Sequence, residues 1–113
     1  MGDNMRRVIL ESPYAGNVDL NVAYLNTCIA HALEVGDAPV ASHRLYPGIL
    51  DDNLADQRAL GMAAGHAWIC VAEAMVVYTD LGVSPGMLEA MRLAHGHGIP
   101  IERRTILGPK AAQ

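Results

Sequence analysis

The chain has 113 residues, 51% of them hydrophobic, with a formal net charge of −4, a pI near 5.6 and a mean hydropathy of +0.17. That length suffices for one domain and is too short for two. The acidic balance argues against a general nucleic-acid binder, which carries a basic patch; only Arg103, Arg104 and Lys110 form a basic stretch. No apolar run approaches the roughly 20 residues of a membrane-spanning helix. Met1 to Arg7 is not followed by a cleavable apolar region, so the chain reads as a soluble cytoplasmic protein.

Phe is absent and there are six Met residues, so Val, Leu, Ile, Ala and Met must fill the core. The apolar content is high for so small a chain, which points to surface covered between subunits of a homo-oligomer. Cys28 and Cys70 both fall inside apolar helical patterns and read as buried, reduced thiols. The chain has no C-x-x-C pair and no zinc spacing, and its five His residues form no metal constellation. No cofactor or metal is expected.

Arg7-Val8-Ile9-Leu10 is a short apolar run that ends in Glu11-Ser12-Pro13-Tyr14-Ala15-Gly16-Asn17, a buried strand followed by a turn. From Val18 to about Val35, Val18, Val22, Leu25, Ile29 and Leu33 recur at helical spacing, with Asn17 as N-cap and Gly36 as terminator. Ala38 to His43 reads as a second strand, and Leu45 to Asn53 as a long loop containing Asp51 and Asp52. Ala55 to Glu73 predicts a helix with Leu60, Ala64, Trp68 and Val71 inward, and with Gly61 and Gly65 permitting close helix approach. Ala74 to Tyr78 predicts a third strand. Ser84 to His97 predicts a third helix with Met87, Met91 and Ala94 inward, flanked by Ala90. Ile99 to Arg104 reads as an edge strand, because Pro100 cannot donate to a central ladder.

This β-α-β-α-β-α-β alternation implies helical crossovers and a parallel sheet. With right-handed crossovers, the expected architecture is a three-layer Rossmann-like or flavodoxin-like sandwich of about four strands in the order 2-1-3-4. The whole chain, 1–113, reads as one domain with its core at about 7–105. A ligand crevice should open at the carboxyl ends of strands one and three, where such sheets bind ligands.

Three polar loops follow three strands, and a parallel sheet gathers all three on one rim. In the first, Ser12, Tyr14 and Gly16 could hold a base or sugar, or merely form a turn. In the second, His43 and Arg44 could bind an anion. In the third, Asp80 could accept from a sugar hydroxyl or base, or close an Asx turn. Ser84-Pro85-Gly86 pairs an N-cap with a Pro at the first helical position, and with Met87 it opens a helix whose free N–H groups and dipole suit an anion.

Ser12-Pro13-Tyr14, Pro39 to His43, Leu50 to Asn53, Gly82 to Met87 and Gly98 to Ile101 together resemble the nucleoside 2-deoxyribosyltransferase-like proteins, including their small bacterial and phage branch. The resemblance runs from about Val8 to Arg104. It implies a nucleoside or nucleotide pocket and a homo-oligomer whose subunits complete each other's sites. It also implies that Asp80 holds the nucleoside and that a Glu in the following helix attacks C1′. The family spacing puts that Glu at Ala90, whereas Glu89 stands one residue early. One residue is about 100° around a helix, so Glu89 is expected to point outward and pair with Arg92.

Three readings follow. The chain binds a nucleoside, a nucleotide or an ADP-ribose-like metabolite, which it could sequester or sense. Alternatively it is an N-glycosidase or deoxyribosyltransferase using Glu89. As a third reading, it is an assembly module with a vestigial pocket.

Overall fold

The computed structural model describes residues 5–14, 16–41, 49–51 and 53–107. Strands β1 (Arg6–Glu11), β2 (Asp37–Val40), β3 (Ala74–Tyr78) and β4 (Ile101–Arg104) alternate with helices α1 (Val18–Glu34), α2 (Ala55–Ile69) and α3 (Pro85–Gly96). The strands form one sheet in the order β2-β1-β3-β4, and every pairing is parallel. The expected sheet order is therefore the observed one. Each edge strand meets a proline. Pro39 lies within β2 and Pro100 just precedes β4, positions where a missing N–H costs no central ladder bond.

Strand alternation splits the core in two. Val8, Leu10, Ala74, Val76 and Tyr78 face α1, which adds Tyr24, Leu25, Cys28 and Ala32. Ile9, Met75 and Val77 face the other way and pack with Ile69 of α2 and with Met87, Ala90, Met91 and Ala94 of α3. The inward stripe expected for α3 is thus in place. The helix is stopped by Gly98, whose φ of 72° suits a residue without a Cβ.

Two helix faces differ from the sequence expectation. On α1 the buried side chains are Asn21, Tyr24, Leu25, Cys28 and Ala32, while Val18 and Leu33 are exposed. The buried stripe lies one position away from the aliphatic one because Tyr24 and Asn21 have partners in the β3–α3 and β1–α1 loops. On α2, Leu60, Trp68 and Val71 are 61%, 50% and 63% exposed. Only Gly65 and Ile69 of this helix are buried, and a Cβ on Gly61 would stand 3.3 Å from the Leu50 side chain. The helix lies against its neighbours on its small residues, which turns the large apolar ones outward. It also stops at Ile69 rather than Glu73, because Glu73 already donates its N–H to the Arg7 carbonyl at 2.9 Å on the way into β3. Cys70, expected to be buried, is exposed. It caps α2 with Sγ 3.5 Å from His97 Nε2. Burial pushes the thiol of Cys28 up to about 12, so it is inert.

The α1 side of the sheet also carries a charge-balanced network. The buried Asp37 carboxylate meets Arg6 at 3.4 Å and Arg104 at 2.8 Å. Arg104 also bonds Glu102 and donates to the Tyr78 hydroxyl at 3.1 Å, which in turn lies 2.8 Å from His31 Nδ1. Burial opposes the charge on Arg104, but Tyr78 and Asp37 outweigh it and raise its pKa. Such a network is weak evidence for added stability.

The offset of the α1 stripe is testable by denaturation. Leu25, fully buried, should lose about 2–5 kcal/mol on change to Ala. Leu33→Ala should stay within roughly 0.5 kcal/mol of the parent, as at other surface positions.

Candidate functional site

The central pair β1 and β3 sets the site. Glu11 lies opposite Val77 in register, so the β1–α1 and β3–α3 loops leave the same edge side by side. α1 covers one face of the sheet, and α2 and α3 cover the other. The two loops therefore leave this edge toward opposite faces, the arrangement in which open parallel sheets hold ligands.

Ser12 is buried and Tyr14 half-buried at this edge, and Asn21 Nδ2 donates to the Tyr14 carbonyl at 2.9 Å. Gly16 has φ 94° and open space where a Cβ would stand. Its role is the turn that swings the chain into α1, whose first N–H groups meet Asn17 as N-cap. On the other loop, Ser84 Oγ accepts from Met87 N–H at 3.2 Å, and Ser84 N–H reaches the Met87 sulfur at 3.3 Å. A thioether thus takes the place of the usual Glu or Gln of a capping box. Gly86 is exposed in the first turn, where a helix N–H has no intrahelical partner. His43 and Arg44 lie outside the described residues.

Asp80 follows β3 as expected, but its carboxylate faces the α1 side. Oδ1 accepts from the Tyr24 hydroxyl at 2.6 Å, and the Asp80 N–H donates back to that oxygen at 3.0 Å. The amides of Ile106 and Leu107 donate to Asp80 at 3.0 to 3.2 Å. Burial works against its charge, yet Tyr24 and these two amides outweigh it and hold the carboxyl below its ordinary range. Asp80 therefore clasps the chain leaving β4, with most of its acceptor capacity used.

Glu89 stands on the outer face of α3 and pairs with Arg92 at 2.8 Å. Ala90, next along, is 4% exposed within the core. The position that points inward carries a methyl group, and the carboxylate points to solvent.

Sequence reasoning missed Glu11. It ends β1 at 7% exposure, on the α2–α3 face by its alternation with Leu10 and its register with Val77. Neither a hydrogen bond nor an ion pair joins its carboxyl to a described residue. Burial alone pushes its pKa up to about 8. No described side-chain oxygen is both sealed from solvent and unpaired, so the carboxyl keeps contact with the edge. The signal was in the sequence: an acid closing the apolar run Val8-Ile9-Leu10, in phase with Ile9. The sign of its pH effect is definite. Below the ordinary carboxyl pKa near 4.5 the group is neutral folded or unfolded. Between there and about 8 the unfolded chain ionises and the folded chain does not, so each pH unit lowers stability by at most about 1.4 kcal/mol.

A concavity lies away from these loops. It is an apolar groove whose walls include Met5, Leu33, Pro39, Trp68 and Val71. It holds few polar groups to orient a small ligand, so the polar edge is the better candidate despite the groove's greater definition. Among the described residues no three metal-ligating side chains come together, and no helix is long and apolar enough to cross a membrane.

The chain belongs to the family described as Domain of unknown function (DUF7768), whose model matches residues 6–104. No curated protein matches it. Among solved structures it is similar to a 2-deoxyribosyltransferase from the psychrotolerant bacterium Bacillus psychrosaccharolyticus, described as a biocatalyst for the synthesis of antiviral and antitumoral nucleosides. The TM-score is 0.69 at 10% sequence identity, over 88% of this chain and 72% of that one. At that identity the likeness establishes the α/β fold.

The Asp80 clasp makes a prediction. Asp80→Asn should cost about 1.5–3 kcal/mol, the range for charged hydrogen bonds, and should speed amide exchange at Ile106 and Leu107. The wild-type contribution should be lost only as pH falls below the ordinary Asp range, because the folded pKa is depressed. Unchanged stability with normal exchange at both amides would show that the clasp carries no energy.

Proposed function

We propose that this protein binds a nucleoside or nucleotide at the carboxyl edge of β1 and β3 and does not use Glu89 to cleave it. The observation that carries this reading is the reversal on α3: Glu89 is turned to Arg92 in solvent and Ala90 occupies the inward position. Nucleophilic attack at C1′ requires a carboxylate held against the sugar, and a group turned about 100° away on a regular helix cannot supply it. The deoxyribosyltransferase-like fold, the Ser84 cap and the first turn of α3 support a binding role. Gly86 N–H and the helix dipole would receive a phosphate or another anion, and Ser12 and Tyr14 would line the opposite wall. Asp80 would act at one remove, by fixing the loop from which α3 starts.

Calorimetry against adenosine, cytidine, guanosine, uridine and their 5′-monophosphates checks this reading. The expected result is binding of at least one compound without release of free base, unchanged in Glu89→Gln. Base release abolished by that substitution would reverse the conclusion and make the protein a Glu89-dependent glycosidase.

The same reading includes assembly with further copies of the chain. Its support is the exposed apolar stripe of Leu60, Trp68 and Val71 on and just beyond α2, more apolar surface than a lone helix presents to water. Trp68→Glu with Val71→Glu should lower the mass seen by sedimentation to that of one chain. A wild type that already sediments as a monomer would remove this part of the reading.

A further inference from the structure

Glu11 has a burial cost that no described contact offsets. Its side chain is 7% exposed at the carboxyl end of the central strand, beside Val77 and on the face covered by α2 and α3. A carboxyl left in such a place without a partner is expensive in a fold that has no use for it. Its described neighbours do not explain it. Asp80 turns away to Tyr24 and the Ile106 and Leu107 amides. Glu89 is engaged by Arg92, and Asp51, Asp56 and Arg58 around the start of α2 are exposed. The inward residues of α3 are Met87, Ala90, Met91 and Ala94, none of which titrates.

We propose that Glu11 is a ligand-contacting acid of this edge site, offering one O–H donor and one carbonyl acceptor to a nucleobase edge that carries an acceptor beside a donor. The inference rests on the nucleoside-binding reading and adds the group that recognises the base. A neutral carboxyl forms two parallel hydrogen bonds with such an edge, whereas an ionised one has only acceptors and meets the ring acceptor with repulsion. A neutral acid also leaves the anion seat at the α3 start free of a competing negative charge. Adenine and cytosine, each with an amino group next to a ring nitrogen, fit this pattern.

The test is calorimetry with adenosine and cytidine on the full chain between about pH 6 and about pH 9.5, an interval in which neither base changes charge. Wild-type affinity should be flat at first and then fall about tenfold per pH unit once pH passes about 8. Glu11→Gln keeps a donor and an acceptor and cannot ionise, so its affinity should stay within a few-fold of the wild-type plateau at every pH. Glu11→Leu should weaken binding at least roughly tenfold while its thermal midpoint at neutral pH holds or rises. Binding that is insensitive to pH and survives Glu11→Leu would overturn the role of Glu11 and leave the nucleoside site standing. If wild type binds none of the nucleosides or their monophosphates at any pH, the site reading falls and Glu11 with it. A ligand-free arm stands apart from both: the midpoint of Glu11→Gln should exceed that of wild type by an amount that grows from about pH 5 to about pH 8. A constant difference over that range would refute the neutral carboxyl.

Discussion

The parallel pairing of β1 with β3 is the constraint on which the rest of the structure depends. It places the carboxyl ends of both strands together while their following helices go to opposite faces. Open parallel sheets bind ligands where the connections diverge in this way. The pairing is held from both sides by side chains the right size for it, with Ala74, Val76 and Leu10 on one face and Ile9, Met75 and Val77 on the other.

The two faces differ in how they are stabilised. The α2–α3 face is packed by apolar side chains, and its methionines fill the space that aromatic residues take elsewhere. The α1 face mixes packing with a chain of polar contacts from Asp37 through Arg104 and Tyr78 to His31. The Asp80 clasp continues that polar face to the edge, joining α1 through Tyr24 to the segment after β4. Asp80 therefore governs where the β3–α3 loop sits. Glu11, on the α2–α3 face, has no such partner among the described residues.

Much of the fold was legible because it depends on short-range signals. Alternation of apolar strands with helical patterns dictates a parallel sheet, Pro100 marks an edge, and Asn17 and Ser84 cap the helices they precede. The outward placement of Glu89 was also legible, since helix periodicity fixes it relative to Met87 and Met91. α2 was misread because an aliphatic stripe at helical spacing reports only that one face is apolar. That face can turn to solvent or to another subunit when Gly61 and Gly65 make the closer contact.

The sequence by itself determined the order of elements, the parallel sheet, the caps, and which residues share a helix face, because each follows from spacing within a few residues. Only the tertiary structure decided that Asp80 serves Tyr24, 56 positions away, that Cys70 is exposed beside His97, and that Glu11 is buried with no partner among the described residues. Those outcomes depend on which distant atoms arrive within hydrogen-bonding reach and on how much water they displace. Both are properties of the packed chain, and no local window of residues contains them.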